Sequence, residues 1–139
     1  MIRGALAGVA AAAAWAAAEP AAARVFRTPA GYSDVRLLGA LATFDGKRWR
    51  EAGLAAHLVN GAVFGALFEA AGGRGWKQGV AAAKLENVAL WPAMAVIDRV
   101  HPDRRSAAWP PLLTNPRVFV YESTVHALFG AVLGTLVRD

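Results

Sequence analysis

HLVNGAVFGAL (His57 to Leu67) and HALFGAVLGTL (His126 to Leu136) agree at six of eleven positions, His, Gly, Ala, Val, Gly and Leu, in one register. Both lie in stretches almost free of charge: none between Glu51 and Glu69, and only Glu122 between Arg117 and Arg138. A helix that crosses a bilayer needs about 20 mostly apolar residues. Two further segments meet that need, Arg3 to Arg24, interrupted by Glu19, and Lys77 to Asp98, interrupted by Lys84 and Glu86. Of the 139 residues 56% are hydrophobic and 18% charged, an apolar balance for a water-soluble domain. The expected fold is all-α: a single polytopic membrane domain over residues 1–139 with four transmembrane helices. A soluble bundle of alanine-rich helices is the competing reading. It is disfavoured by the second and fourth segments, which lack a charged stripe, and by Trp49 and Trp76, which bracket the second segment as interfacial anchors do.

The repeated phrase extends outward. In each half an upstream helix is expected to end near a proline (Glu19-Pro20; Trp91-Pro92), a basic connection follows, and a Leu-Leu pair (Leu37-Leu38; Leu112-Leu113) precedes the histidine helix. This order predicts two tandem helical hairpins, 1–72 and 76–139, forming a parallel repeat about an axis along the membrane normal, with GGRG as the turn between them. The alanine-rich start with AAAEPAAA also has features of a cleavable secretory signal. It lacks the leucine-rich core of such signals, and Glu19-Pro20 suits an inward-facing acid at a helix end. In the first connection, turns at Pro29-Ala30-Gly31 and Asp45-Gly46 flank a short helix that Ser33-Asp34 would cap, running to Leu41 with Leu37, Leu38 and Leu41 inward. The second connection, HPDRRSAAWPPLLTNP, holds four prolines and is not expected to form a regular helix.

The net charge of +5 is concentrated: ten of the fifteen basic residues lie in the two long connections, four (Arg3, Arg74, Lys77, Arg138) lie on the opposite side, and Lys84 is inside a helix. By the positive-inside tendency both connections face the cytoplasm of a bacterial plasma membrane and the termini face out. The expected partner is then a bilayer with anionic headgroups, not nucleic acid. With no cysteine, disulfides, thiolate catalysis and sulfur-ligated metals are excluded.

Residues four apart share a helix face, so Gly53, His57, Gly61, Gly65 and Glu69 form one stripe and Glu122, His126, Gly130 and Gly134 another. Glycines so spaced let helices approach closely in lipid, and the histidines therefore point into the bundle. Counting residues from the flanking charges puts most polar groups in the half nearest the long connections. The predicted ligand set is His57, Glu86, Glu122 and His126, with Glu19, Asn60 and Asn87 in the same polar pocket and Asp98, His101 and Asp103 at its mouth.

This order of features is similar to that of the YagU-like inner-membrane proteins: GALAGV leading to Glu19-Pro20, an apolar helix opening with His57, GWKQG at Gly75 to Gly79, a helix ending Trp91-Pro92, and Glu122 four residues before His126. The resemblance spans nearly the whole chain apart from the first connection. It implies a polytopic inner-membrane protein and implies no reaction; Glu86-Asn87 departs from the polar pair expected in the third helix.

The chemistry of the predicted set points to a metal or a proton-linked ligand. Two imidazoles with carboxylates suit zinc, iron or manganese. Haem is less well served, since the histidines differ by about three residues in estimated depth, about 4–5 Å of rise, and few bulky aromatics are at hand. The alternatives are a proton or small-solute transporter, which at this length would act as a homodimer, and a structural protein whose polar groups only join helices. A further alternative is an intramembrane enzyme, with Asp98, His101 and Asp103 at the mouth and arginines recognising a phosphate-bearing lipid; the lack of a nucleophile motif weighs against it without deciding it.

Overall fold

The computed structural model describes residues 1–43 and 47–138, which includes every predicted feature except the Asp45-Gly46 turn, outside the described residues. The described chain is helical: α1 (Ile2–Phe26), α2 (Asp34–Thr43), α3 (Trp49–Ala70), α4 (Gly75–Leu90), α5 (Met94–Val100), α6 (Pro102–Arg105) and α7 (Pro116–Leu136). Four helical segments are long and apolar enough to cross a membrane: Ile2–Phe26, Trp49–Ala70, Gly75–Val100 and Pro116–Leu136. Local chemistry sets their limits. Asn115 accepts from the Arg117 and Val118 amides at 3.1 and 3.4 Å and Pro116 opens α7. Ser33 caps α2 by accepting from the Arg36 amide at 3.0 Å, as its sequence predicts.

Neither proline ends its helix. α1 continues through Pro20 to Phe26, and α4 passes Trp91-Pro92 in one 3₁₀ turn (Trp91–Ala93) and resumes as α5 to Val100. Proline removes one N–H and one intrahelical bond. In a long apolar helix a local 3₁₀ adjustment and neighbouring helices make that loss tolerable, so the chain goes on.

The helices meet in pairs through bare backbone. A Cβ on Gly8 would stand 1.9 Å from the Gly61 carbonyl oxygen, and one on Gly65 would stand 2.1 Å from that of Gly4; this joins α1 to α3. In the other pair a Cβ on Gly79 would lie 2.0 Å from the Gly130 oxygen and one on Gly134 2.3 Å from the Gly75 oxygen, joining α4 to α7. These glycines are required for what they lack, since any side chain would push the helices apart. The same device seats α2 on α3, with Gly39 against Trp49 and Gly53 against Val35. α1 and α7 then pack on each other and hold the two pairs together through Ala11, Trp15, Tyr121, Val125 and Phe129, all buried.

The outward faces are apolar. Leu6, Val59, Val63, Leu67, Leu85, Val88, Val120 and Leu128 are exposed, a surface that hydrocarbon covers and water does not favour. The charge-free stretches thus serve both sides of each helix, glycine and histidine inward and branched aliphatics outward.

Gly130→Ala is expected to destabilise the folded protein by about 1–3 kcal/mol, the cost typical of overpacking, with a lowered melting temperature by circular dichroism in detergent. Ala55→Leu, on an exposed face of α3, should leave that temperature unchanged.

Candidate functional site

Between the helix pairs, beneath α2, lies a cavity of ≈ 150 Å³ lined by Asp34, His57, Glu86, Glu122 and His126. Trp15 stands at its centre, its ring centroid 5.0 Å from that of His57 and 4.5 Å from that of His126, both edge-on. Both histidines therefore pack on the same indole. Trp15 fills the space between the imidazoles that a haem would need.

Each imidazole is fixed by a backbone carbonyl. His57 Nε2 lies 3.1 Å from the Ala12 oxygen, and His126 Nδ1 lies 2.7 Å from the Glu122 oxygen. A carbonyl only accepts, so these nitrogens carry the protons. The remaining nitrogen of each ring faces a carboxyl group, His57 Nδ1 toward Asp34 at 3.8 Å and His126 Nε2 toward Glu86 at 4.0 Å. The Glu122 carboxyl lies 3.8 Å from His126 Nδ1 and accepts a short hydrogen bond from the Tyr32 hydroxyl.

Asp34 and Glu122 face each other inside the protein. Burial pushes the Asp34 carboxyl well above the usual carboxylate range, and the charges of Glu122 and Glu19 push it further. Two adjoining carboxyls, one half-buried and one buried, hold one proton between them more readily than they ionise together. Burial and the Glu122 charge likewise raise the Tyr32 phenol, which stays a donor. Neither lysine nor arginine lines the cavity. Lys84 is exposed on α4.

Of the residues singled out from sequence, His57, Asn60, Glu86, Asn87, Glu122 and His126 line this cavity. Asn87 serves the packing, donating from Nδ2 to Ser123 Oγ at 3.0 Å and tying α4 to α7. Glu19 stands behind the wall: its Oε1 accepts from Trp15 Nε1 at 3.2 Å and from the Asp34 amide at 2.7 Å. It thereby caps α2 from another helix and positions both the indole and Asp34. Asp34 as a site residue, Tyr32 and Trp15 escape the sequence reading. The one available signal is the Tyr32-Ser33-Asp34 run ahead of a helix with an apolar inward face.

Asp98, His101 and Asp103 do not line the cavity. Asp98 accepts from the Leu112 and Leu113 amides at 2.8 and 3.0 Å and from Arg104 Nε at 2.9 Å, folding the second connection back on itself. His101 is buried and stacks on Trp109 with centroids 4.5 Å apart, and its Nδ1 accepts from the Asp103 amide at 3.2 Å. Burial lowers its basicity. Asp103 takes two bonds of 2.7 Å from Arg36, which hold its carboxyl below the usual range and clamp the second connection onto α2. The three residues build the roof over the site instead of its mouth.

The metal expectation meets an obstacle in this geometry. Among the described residues no three His, Asp or Glu side chains come together in a group that could hold a metal ion. One nitrogen of each imidazole is bound to a carbonyl, and the other has a single carboxyl 3.8–4.0 Å away.

The chain is thus an all-helical protein with four helices apolar enough to cross a membrane and a buried carboxyl–imidazole cluster between them. No family model, curated protein or solved structure matches it.

The raised Asp34 carboxyl has a consequence for stability. It keeps a proton in the folded chain that it has lost in the unfolded one, so its contribution is fully present below pH about 4 and is lost as pH rises toward the folded value, by at most about 1.4 kcal/mol per pH unit. Asp34→Asn should therefore gain stability relative to the parent as pH rises above about 4, read as the difference in their melting temperatures at each pH. A constant difference would mean that Asp34 titrates normally.

Proposed function

We propose that this is an integral protein of a bacterial plasma membrane whose cavity is a proton-linked solute-binding site, of the kind a small transporter uses. The observation that carries the reading is the convergence of Asp34, His57, Glu86, Glu122 and His126, from four helices, on one cavity that no fixed cation neutralises. Helix joining alone does not call for this set. His57 and Asn87 have ordinary partners across the bundle, whereas Asp34, Glu86 and Glu122 crowd negative charge where the bilayer makes it costly. Carboxyls and imidazoles within 4.0 Å of one another are groups between which a proton can pass. A zinc, iron or manganese centre would need three or more of these side chains on one ion, and among the described residues no such group of three stands together.

The same reading orients the protein. The two arginine-rich connections and α2 face the cytoplasm, where anionic headgroups meet them, and the cavity lies nearer that side. Resemblance to the YagU-like inner-membrane proteins supports this placement. The equivalent glycine pairs, Gly4 and Gly8 on Gly65 and Gly61, Gly75 and Gly79 on Gly134 and Gly130, support an origin as two repeated hairpins. A homodimer would enclose a path that four helices leave open on one side.

Purified protein in liposomes carrying a trapped pH dye should dissipate an imposed proton gradient faster than empty liposomes do. Asp34→Asn and Glu122→Gln should each slow that dissipation at least tenfold. Rates unchanged in both variants would overturn the reading and leave helix joining as the role of the polar groups.

A further inference from the structure

The wall of the cavity combines acids with rings. Trp15, Phe64, Trp91 and Phe129 line it alongside Asp34, Glu86 and Glu122. Acids without a fixed counter-charge call for a mobile cation. An inorganic ion needs several ligand atoms at about 2.0–2.6 Å, and among the described residues no group of three acids or histidines offers them. An organic ammonium ion has other needs: carboxyl oxygens for its N–H groups, and aromatic surface for its charge and its carbons.

We infer that the cavity binds a small primary organic ammonium ion, with the nitrogen at the Asp34, Glu86 and Glu122 carboxyls and the alkyl chain against Trp15, Phe64 and Phe129. The inference rests on the proton-linked reading and names its ligand class. Size sets the limit: ≈ 150 Å³ is the volume of a cavity that admits benzene, so about six non-hydrogen atoms fit. The way in runs between α3 and α4, which are not packed on each other; Asn60 and Leu90, both exposed, stand on the two sides of that gap.

Binding balances against one proton. The ammonium ion enters with a single positive charge, and the proton held between Asp34 and Glu122 leaves for bulk water, so the charge within the cavity does not change. Around that carboxyl pair stand Glu19 from α1, Tyr32 from the loop before α2, His57 from α3, Glu86 from α4, and Tyr121 and His126 from α7. None of them is a permanent cation; the charge of Lys84, exposed on α4, reaches His126 from outside the cavity wall. Affinity should rise with pH, up to about tenfold per unit while the pair remains protonated.

The test is isothermal titration of the full chain in lipid nanodiscs with n-butylammonium chloride, with potassium chloride as the inorganic comparison, in buffers of different ionisation heat. Expected are saturable binding of butylammonium, release of one proton per ligand, no saturable potassium binding, and at least tenfold weaker binding in Glu122→Gln. Phe64→Leu, a change at a half-buried ring that leaves the acids intact, should weaken butylammonium to a similar degree. Absence of saturable butylammonium binding while gradient dissipation still depends on Asp34 would overturn the ammonium assignment and leave the proton-linked reading standing. Absence of both would overturn the two together. Equal binding by Phe64→Leu and the parent would remove the rings from recognition and overturn the assignment as stated.

Discussion

Close backbone contact between glycines is the constraint on which the rest of this structure depends. Where α1 meets α3 and α4 meets α7, carbonyl oxygens of one helix lie where side chains of the other would begin. In a bilayer such contact replaces the hydrophobic effect as the cause of helix association, because lipid tails already satisfy apolar surface. Its reach is short. The glycines occupy the half of each helix away from the long connections, and beyond them the helices carry His57, Glu86, Glu122 and His126 in place of glycine. The cavity begins where the glycine contact ends.

A gap between diverging helices would collapse or fill with lipid without supports. Two are present. Trp15, anchored through its Nε1 to Glu19, occupies the middle and gives each histidine a surface to pack against. α2 covers the top, held on α3 by Gly39 and Gly53, capped by Ser33 and Glu19, and clamped from the second connection by Arg36 and Asp103. Both supports use charged or polar groups that never touch the cavity, which explains why a chain with so few charges places so many of them near this end.

The sequence displayed the features that repeat at helical spacing. Four charge-poor segments announced the long helices, and the glycine–histidine stripes announced their packed faces, because both signals depend only on residues three or four apart. Asp34 was readable as a cap but not as a partner of Glu122, eighty-eight positions away in sequence. The contact of both histidines with Trp15 had no such signal, because three separate helices bring those rings together. The acids of the second connection read as groups at the pocket mouth, because no helical spacing displays the arginines that hold them. Their real partners are Arg104 for Asp98 and Arg36 for Asp103.

Trp15 receives its walls from the beginning and the end of the chain: His57 arrives with α3, but His126 and Phe129 arrive with α7. Synthesis proceeds from the N-terminus, so α1, α2 and α3 exist well before α7 does. During that interval Glu19, Asp34 and Trp15 lack the neighbours that α7 brings. A nascent chain stopped short of Pro116 carries that defect permanently. Completion of the last helix is therefore the step that closes the site, because it brings His126 and Phe129 to the indole and Glu122 to Asp34.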